Sequence, residues 1–303
     1  MMAIILMIVT ALVFPGIILR VRSLASGRKG PRLMQPMKEI AILLGKGSVF
    51  GDTAGIVFRI APAISLSAIL CSMLVLPFAN QKPVISFEGD FIFFSFLLAL
   101  GKFFSIIGAL DIGSSFQGMG ANREALFSML IEPAFFILLA TFAMFTGYTS
   151  FSGIFSHFNI AGDYYVLLFS ILAIYIFVQI AVIENSRIPV DDPKTHLELT
   201  MIHEVMILDN SGFDKALIHI GSYLKFAIFG TLLYNIFATT GMSTFLHVVL
   251  FFLVQIVYAV IIGLVESFRA RNKMDKNPKF ILTISAIAWL AFVLILTMTS
   301  RLI

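Results

Sequence analysis

Residues 165–183 read YVLLFSILAIYIFVQIAVI, a run without a single charge, and residues 184–212 then read ENSRIPVDDPKTHLELTMIHEVMILDNSG. An uncharged run of about 20 residues is long enough to cross the hydrocarbon core of a bilayer as a helix. The stretch after it holds six acidic residues and two histidines, although the whole chain has only 17 Asp and Glu and 5 His. Because charges beside lipid are costly to keep, this concentration of ionisable groups points to function.

The composition of the whole chain is that of a membrane protein. Hydrophobic residues make up 59% and charged residues 13% of the 303, and mean hydropathy is +0.99, whereas soluble domains have roughly 45–50% and about 25%. The apolar runs predict eight spans: Met2–Leu19, Ile60–Ala79, Phe91–Leu110, Leu126–Thr146, Tyr165–Ile183, Leu224–Ala238 extended back towards Ile218, Phe245–Val265 and Phe280–Thr299. We therefore predict an all-α polytopic membrane protein, a single transmembrane helical bundle over residues 1–303.

Lys and Arg residues predict the orientation of this bundle, because they are enriched in cytoplasmic loops. They concentrate after the first, third, fifth and seventh spans, and the opposite loops hold only Lys82. The predicted cytoplasmic loops are about 20–59, 111–125, 184–217 and 266–279. Both termini are then outside the inner (cytoplasmic) membrane. The first run has no basic segment before it, so we interpret it as a retained helix and not a cleaved signal.

The first loop is predicted to contain a helix of its own. Met37, Ile40, Ala41 and Leu44 recur at helical spacing, which is typical of a short amphipathic helix on the membrane surface or against a partner subunit.

The central loop between the fifth and sixth spans is predicted to be structured. Asp192 before Pro193 is a helix-start pattern, and the helix would run to about Leu208. His196 and His203 would share one of its faces. A solvated charged loop is the alternative, but the apolar residues of LELTMIHEVMIL favour burial.

A metal site in this loop is disfavoured. His203-Glu204 begins like the zinc-protease motif HExxH, but Ile207 stands where the second histidine is needed. The chain also has one cysteine, Cys71, which excludes an internal disulfide and a Cys-ligated iron–sulfur cluster held by this chain alone. We predict no cofactor, metal or catalytic group in the chain. Its basic residues lie in membrane loops, so no nucleic-acid partner is predicted.

Ionisable residues also fall inside or at the ends of the predicted spans. They are Lys102, Asp111, Glu132, Glu184 and Glu266. Each costs roughly 2.5–3.5 kcal/mol or more at a helix centre if unpaired, so such residues normally face the bundle interior. Carboxylates that continue from Glu132 to the central loop would form a proton route. The alternative is static ion pairs that hold helices together, with Lys102 bound to one of the acids.

Three stretches resemble one known family. The central loop resembles the acidic loop of the membrane subunit that anchors the peripheral arm in respiratory complex I and in energy-converting [NiFe] hydrogenases. ALDIGSSFQGMGANREALFSMLIEP (109–133) and GRKGPRLMQPMKEIAILLGK (27–46) are similar to the family's other loop signatures. The pattern PVDDPxTHLELTMIHE (189–204) is similar to the hydrogenase-4 and formate hydrogenlyase branch, and the loop is less acidic than in complex I, which argues against a quinone site.

The resemblance implies an anchoring subunit that couples electron transfer to proton or sodium translocation. It implies an iron–sulfur cluster subunit and hydrogenase large- and small-type subunits, with [NiFe] in the latter, at the cytoplasmic face, and antiporter-like membrane subunits beside this chain. Arg123, Glu132 and the charged loop residues match charged family positions. The complete predicted coupling path is Lys102, Asp111, Arg123, Glu132, Glu184, Arg187, Asp191, Asp192, His196, Glu198, His203, Glu204, Asp209 and Glu266.

Two other functions stay open at this point. One is the quinone-site subunit of a complex I-type NADH or ferredoxin dehydrogenase. The other is a stand-alone cation transporter, against which the lack of an internal sequence repeat counts.

Overall fold

The long apolar runs are helical in the computed structural model, which describes residues 2–79, 81–160, 164–192, 201–239 and 241–299. Over these residues it has eleven α-helices and one short 3₁₀-helix, Met274–Lys276. The α-helices are α1 Met2–Ala25, α2 Gln35–Leu44, α3 Ile56–Met73, α4 Asp90–Asp111, α5 Ser115–Thr146, α6 Phe151–His157, α7 Tyr164–Glu184, α8 His203–Met206, α9 Gly212–Phe237, α10 Thr244–Phe268 and α11 Asn277–Thr299.

Eight of the helical segments in the described residues are long and apolar enough to cross a membrane. They are α1, α3, α4, α5, α7, α9, α10 and Met274–Met298, which includes most of α11. Each coincides with one predicted span, so the prediction of an all-α polytopic membrane protein is confirmed. The connections after the first, third, fifth and seventh spans lie together at one end of the bundle, which we call the charged end.

Some predicted span boundaries are wrong. α5 begins at Ser115 and not at Leu126, so most of the predicted loop 111–125 is helix. At 32 residues, α5 is about 48 Å long and exceeds a hydrocarbon core of about 30 Å. Hydropathy therefore detects only the part of this helix that lies in lipid.

The amphipathic helix of the first loop is confirmed as α2, but its buried face differs from the predicted one. Pro36 and Ile40 are buried, and the helix packs on α9 and α1. Ala41 and Leu44 are exposed.

The predicted long helix in the central loop is wrong. α8 covers only His203–Met206, and residues 201–202 before it are not helical. The Asp191 carboxylate accepts the backbone N–H groups of Ile202 and His203, which a continuous helix would bond to its own carbonyls. Residues 193–200, with the candidates His196 and Glu198, lie outside the described residues.

α9 is the central helix of the bundle. Residues 226–236 are buried without interruption, and a helix that is apolar all round is an enclosed one. It contacts α1, α2, α3, α7 and α10, while α3 packs along α4 and α11 along α5. A polar side chain on α9 or on a helix facing it is therefore kept from both lipid and water.

Candidate functional site

A buried group of two lysines and two glutamates lies where α4, α5, α7 and α9 meet. Lys102 Nζ is 3.1 Å from Glu124 Oε1 and 2.9 Å from Glu184 Oε2. Lys225 Nζ lies 4.0 Å from the same Glu184 oxygen. We call these four residues the lysine–glutamate cluster. Its formal charges cancel, which limits the cost of keeping ions in a low-dielectric interior.

The end of α7 places two groups on this cluster. Ser186 adopts a positive φ of 48°, and the Arg187 N–H donates to the Val182 carbonyl at 2.9 Å, which closes the helix end. Glu184 is then the last helical residue. The Ser186 hydroxyl donates to Glu124 Oε2 at 3.3 Å, so α7 supplies the cluster with both an acceptor and a donor.

Two small cavities adjoin Glu184. One of about 20 Å³ is also lined by Lys102 and Glu132. The other, of about 40 Å³, is lined by Asn185, His203 and Lys225 among other residues. A buried water needs roughly 10–15 Å³ and two or more polar partners. Both cavities meet these conditions, so a path of ionisable groups and water-sized spaces runs from His203 through Glu184 to Glu132.

A second charged group lies at the charged end, beside the first. Glu266 Oε1 is 3.1 Å from Arg187 Nη1, and Glu266 Oε2 is 3.6 Å from Arg22 Nη1. The other two pairs are Arg22 with Asp192 at 3.5 Å and Arg271 with Asp191 at 3.1 Å. We call these six residues the arginine–carboxylate cluster: Arg22, Arg187, Asp191, Asp192, Glu266 and Arg271.

Asp191 connects this second cluster to the first. Its carboxylate accepts backbone N–H groups from Asp192 at 2.9 Å, Ile202 at 3.2 Å and His203 at 3.0 Å. Burial raises the pKa of the Asp191 carboxyl, and the N–H donors and Arg271 only partly oppose this effect. By holding the start of α8, Asp191 places His203 beside the cavity of Glu184 and Lys225.

α5 holds α8 from the other side. Arg123 Nη1 donates to the Met201 carbonyl at 2.9 Å. Gly120 faces α8 so closely that a Cβ there would collide with Val205 and lie 2.8 Å from the Ile202 carbonyl oxygen. The backbone before α8 is thus held by α5 and by Asp191 together.

Most of the predicted coupling residues in the described part of the chain lie in these groups. Lys102 and Glu184 belong to the first cluster, and Arg187, Asp191, Asp192 and Glu266 to the second. Arg123 and His203 lie at α8, between the clusters, and Glu132 lines the far cavity.

Three predicted residues lie apart from both clusters. Asp111 accepts the Phe58 N–H at 3.0 Å in the first turn of α3, so the structure gives it a capping contact in place of the predicted path contact. Asp209 is exposed and Glu204 half-buried.

Four members of the clusters are not among the residues predicted from the sequence. Glu124 was missed because it fell in the predicted loop 111–125. Lys225 lies inside the apolar run extended from Ile218, and a charge in that position is the signal that could have found it. Arg22 and Arg271 were treated only as orientation signals. Nothing in the sequence pairs them with particular acids.

Known proteins resemble this chain over nearly its whole length. The family model described as NADH dehydrogenase matches residues 1–297. Formate hydrogenlyase subunit 4 of Escherichia coli (strain K12) is 30% identical over 293 residues, which are 93% of this chain and 92% of that protein. Hydrogenase-4 component C of the same strain is 30% identical over 292 residues, 96% and 90% of the two chains. An NADH-quinone oxidoreductase subunit of Methylococcus capsulatus (strain ATCC 33009 / NCIMB 11132 / Bath) is 24% identical over 272 residues, 84% and 81%.

A solved structure shows the same fold. A chain of the membrane-bound sulfane sulfur reductase, an archaeal respiratory membrane complex, matches with a TM-score of 0.81 at 20% identity, over 96% of both chains. The resemblance seen in the loop motifs thus extends over nearly the whole sequence and the whole bundle. This chain belongs to the NADH dehydrogenase family.

Proposed function

We propose that this chain anchors the soluble redox arm of a complex I-like, hydrogenase-type oxidoreductase in the membrane and couples its electron transfer to the translocation of protons, with sodium as the alternative ion. The observation that carries the proposal is the path from His203 through Glu184 and Lys102 to Glu132 inside an apolar bundle. The relatives named for formate hydrogenlyase and hydrogenase-4 support the hydrogenase type.

Lys102 is the residue that can switch between two ion-pair partners. Its ammonium group lies between Glu124 and Glu184, at 3.1 and 2.9 Å. A proton that reaches Glu184 removes that carboxylate's charge, and Lys102 then pairs with Glu124 alone. When Glu184 passes the proton towards Glu132, the first arrangement returns. Proton occupancy and the position of Lys102 are therefore linked.

The electron-transfer event would act on this switch through Asp191. A unit charge that changes about 4 Å away is worth about 4 kcal/mol at an effective dielectric near 20. A redox change at the charged end of that size would alter the pairing of Asp191 with Arg271 and its bonds to α8. His203 would then move relative to the cavity of Glu184.

The redox centres belong to partner subunits in this proposal. An iron–sulfur cluster subunit and hydrogenase large- and small-type subunits, with [NiFe] in the latter, would dock at the charged end, and antiporter-like subunits would lie beside the bundle. Exposed apolar side chains at that end, Ile42, Val49 and Ile56, support docking. The Lys and Arg bias supports a cytoplasmic charged end in the inner membrane, with both termini outside.

The quinone-site alternative gains no support from these cavities. The two beside Glu184 have volumes of about 20 and 40 Å³, which suits one or a few waters and not an aromatic ring. The stand-alone transporter is disfavoured by relatives that are named as subunits or components.

The test replaces Glu184 by Gln in the assembled complex, reconstituted in vesicles with a pH-sensitive dye inside. Oxidation of reduced methyl viologen reports redox turnover, and the dye reports protons moved per electron. We expect the variant to lose at least about tenfold in proton translocation, since a positioned acid–base group contributes 10²–10⁴. Glu88→Gln, the same change at an exposed position, should match the wild type. If Glu184→Gln leaves both turnover and proton translocation unchanged, the proposed function is wrong.

A further inference from the structure

One face of α10 is buried along the length of the helix and carries polar side chains that lie outside the path from His203 to Glu132. His247, Gln255, Tyr258 and Glu266 lie on this face, and each is at most 4% exposed. Their spacing of eight, three and eight residues keeps them on one side of the helix. This face packs on α1 and α9. We call these four residues the α10 polar face.

Protein groups satisfy only part of this face. Gln255 Nε2 donates to the Ala227 carbonyl at 3.1 Å, and His247 Nδ1 lies 2.9 Å from the Tyr234 hydroxyl. Within the described part of the chain, Gln255 Oε1, the Tyr258 hydroxyl and His247 Nε2 are buried without a hydrogen-bond partner. Each such atom costs about 1–3 kcal/mol if nothing binds it. Three of them along one helix face are best explained by ordered water.

The contacts of Gln255 show that its position is built into the fold. A Cβ at Gly230 would collide with the Gln255 amide, so α9 has a glycine where this side chain must approach. The Ala227 carbonyl, which accepts the hydrogen bond from Gln255 Nε2, also accepts one from the Thr231 hydroxyl at 2.7 Å. A leucine of similar volume would fit a dry helix interface without these requirements.

The polar face is connected to charged or polar groups at both ends. At the charged end, Glu266 pairs with Arg187, whose guanidinium carbon lies 5.2 Å from the centre of the Phe226 ring. The Phe226 ring is 6.5 Å from that of Tyr258. At the other end, His247 is bonded to Tyr234.

From His247 to Glu266 is 19 residues on one helix, or about 28 Å at 1.5 Å per residue, close to the thickness of a hydrocarbon core of about 30 Å. We propose that the α10 polar face binds a series of ordered waters that joins the Arg187–Glu266 pair to the Tyr234–His247 pair and conducts protons. It is a second route, separate from that of Glu132. Each water takes up one proton and releases one, and Gln255 only orients water because its amide does not exchange protons in this way, so the route is unchanged after a transfer. Its role in ion movement rests on the proposed function, whereas the bound water does not.

Water binding is tested by X-ray hydroxyl-radical labelling of the complex in membranes, with mass spectrometry as the readout. A buried side chain is labelled only where water lies beside it. We expect Tyr258 to be labelled about tenfold faster than Phe142, which is equally buried but lies among apolar rings, where cavities stay dry. The variant Gln255→Leu should lower the labelling of Tyr258. Labelling of Tyr258 no faster than that of Phe142 overturns the inference.

Proton conduction is tested with the same vesicles as the proposed function. Tyr258→Phe removes one hydroxyl and keeps the ring, and we expect protons moved per electron to fall at least about twofold, because a relay loses a positioned group. Tyr175→Phe, at an exposed position on α7, is the matched control and should be unaffected.

The two proposals fail in different ways. If Glu184→Gln abolishes translocation while Tyr258→Phe and Gln255→Leu behave as the wild type, the second route is wrong and the proposed function stands. If Glu184→Gln has no effect, the proposed function fails, and the labelling of Tyr258 still decides whether water is bound.

Discussion

Replacing Lys102 by Met tests whether the lysine–glutamate cluster depends on its charge balance. The cluster holds two cations and two anions, and Lys102 is the cation within 3.1 Å of both glutamates. Met keeps most of the side-chain volume and removes the charge. Glu124 is then left buried without an ion-pair partner among the described residues, since its ion pair there is with Lys102.

The expected magnitude follows from the two contacts. At an effective dielectric of about 20, Lys102 gains about 5 kcal/mol from Glu124 and about 6 kcal/mol from Glu184. Desolvation of several kcal/mol per ion offsets much of this gain. Removing one partner from a buried pair nevertheless costs about 3–5 kcal/mol, because the remaining charge stays buried. For a chain of 303 residues, at about 2.1 cal/mol/K of unfolding entropy per residue, that corresponds to a Tm lower by roughly 5–8 °C.

The assay is thermal unfolding of the purified protein in detergent, followed as loss of monodisperse protein. A double-mutant cycle with Glu124→Gln separates the pair from its surroundings. Lys102→Met with Glu124→Gln restores charge balance, with Glu184 and Lys225 remaining, and should be more stable than Lys102→Met alone. Lys82→Met, the same change at an exposed lysine, should stay within about 0.5 kcal/mol of the wild type.

Two results would refute this reasoning. One is a Lys102→Met protein whose Tm is within a degree or two of the wild type. The other is a double mutant whose loss equals the sum of the two single losses, which would show that Lys102 and Glu124 are not coupled.

Three further predictions test the packing around the site. Gly120→Ala should destabilise the protein by about 1–3 kcal/mol, because its Cβ collides with α8. Gly118→Ala is the control, since a Cβ there meets only Leu110 Cδ2, at an ordinary contact distance of 3.9 Å. Equal Tm values for the two variants would contradict the close packing. Ser211→Ala should raise hydrogen exchange around Val49, since the Ser211 hydroxyl bonds both the N–H and the carbonyl of Val49, at 2.9 and 3.1 Å; unchanged exchange there would show that these bonds do not hold the loop. Asp111→Ala should lower stability by about 1 kcal/mol through loss of a cap and leave proton translocation intact. A loss of translocation would show instead that Asp111 takes part in the proton path.

The fold could be predicted because lipid imposes one strong rule. A span must be apolar for about 20 residues, and each such run became a helix. The rule says nothing about where a helix leaves the membrane, so α5 was predicted eleven residues too short at its start. Glu124 lies in that missing part, and for this reason the main partner of Lys102 on α5 was not predicted.

The site could be predicted as a set of residues but not as pairs. Lys102 was expected to bind one acid, and the structure gives it two on different helices. Which acids meet depends on helix rotation and packing, which are not local properties of the sequence. The prediction for the central loop was wrong for a different reason. The Asp192-Pro193 start pattern favoured a long helix, but the buried Asp191 carboxylate takes the backbone N–H groups that such a helix requires, since a buried charge must be satisfied first.

Proton occupancy in the two clusters is coupled, and the short chain between them is one reason. Glu184 and Asp191 are seven residues apart, and both contact groups that bear on His203: Asp191 binds its N–H, and Glu184 shares a cavity with it. Each cluster is neutral when fully ionised, so a proton added to either leaves an uncompensated charge. That charge is lowered in energy if the neighbouring cluster releases a proton. Coupling of this kind is reciprocal, so a charge change at Asp191 must alter the proton affinity of Glu184 by the same free energy with which protonation of Glu184 alters Asp191.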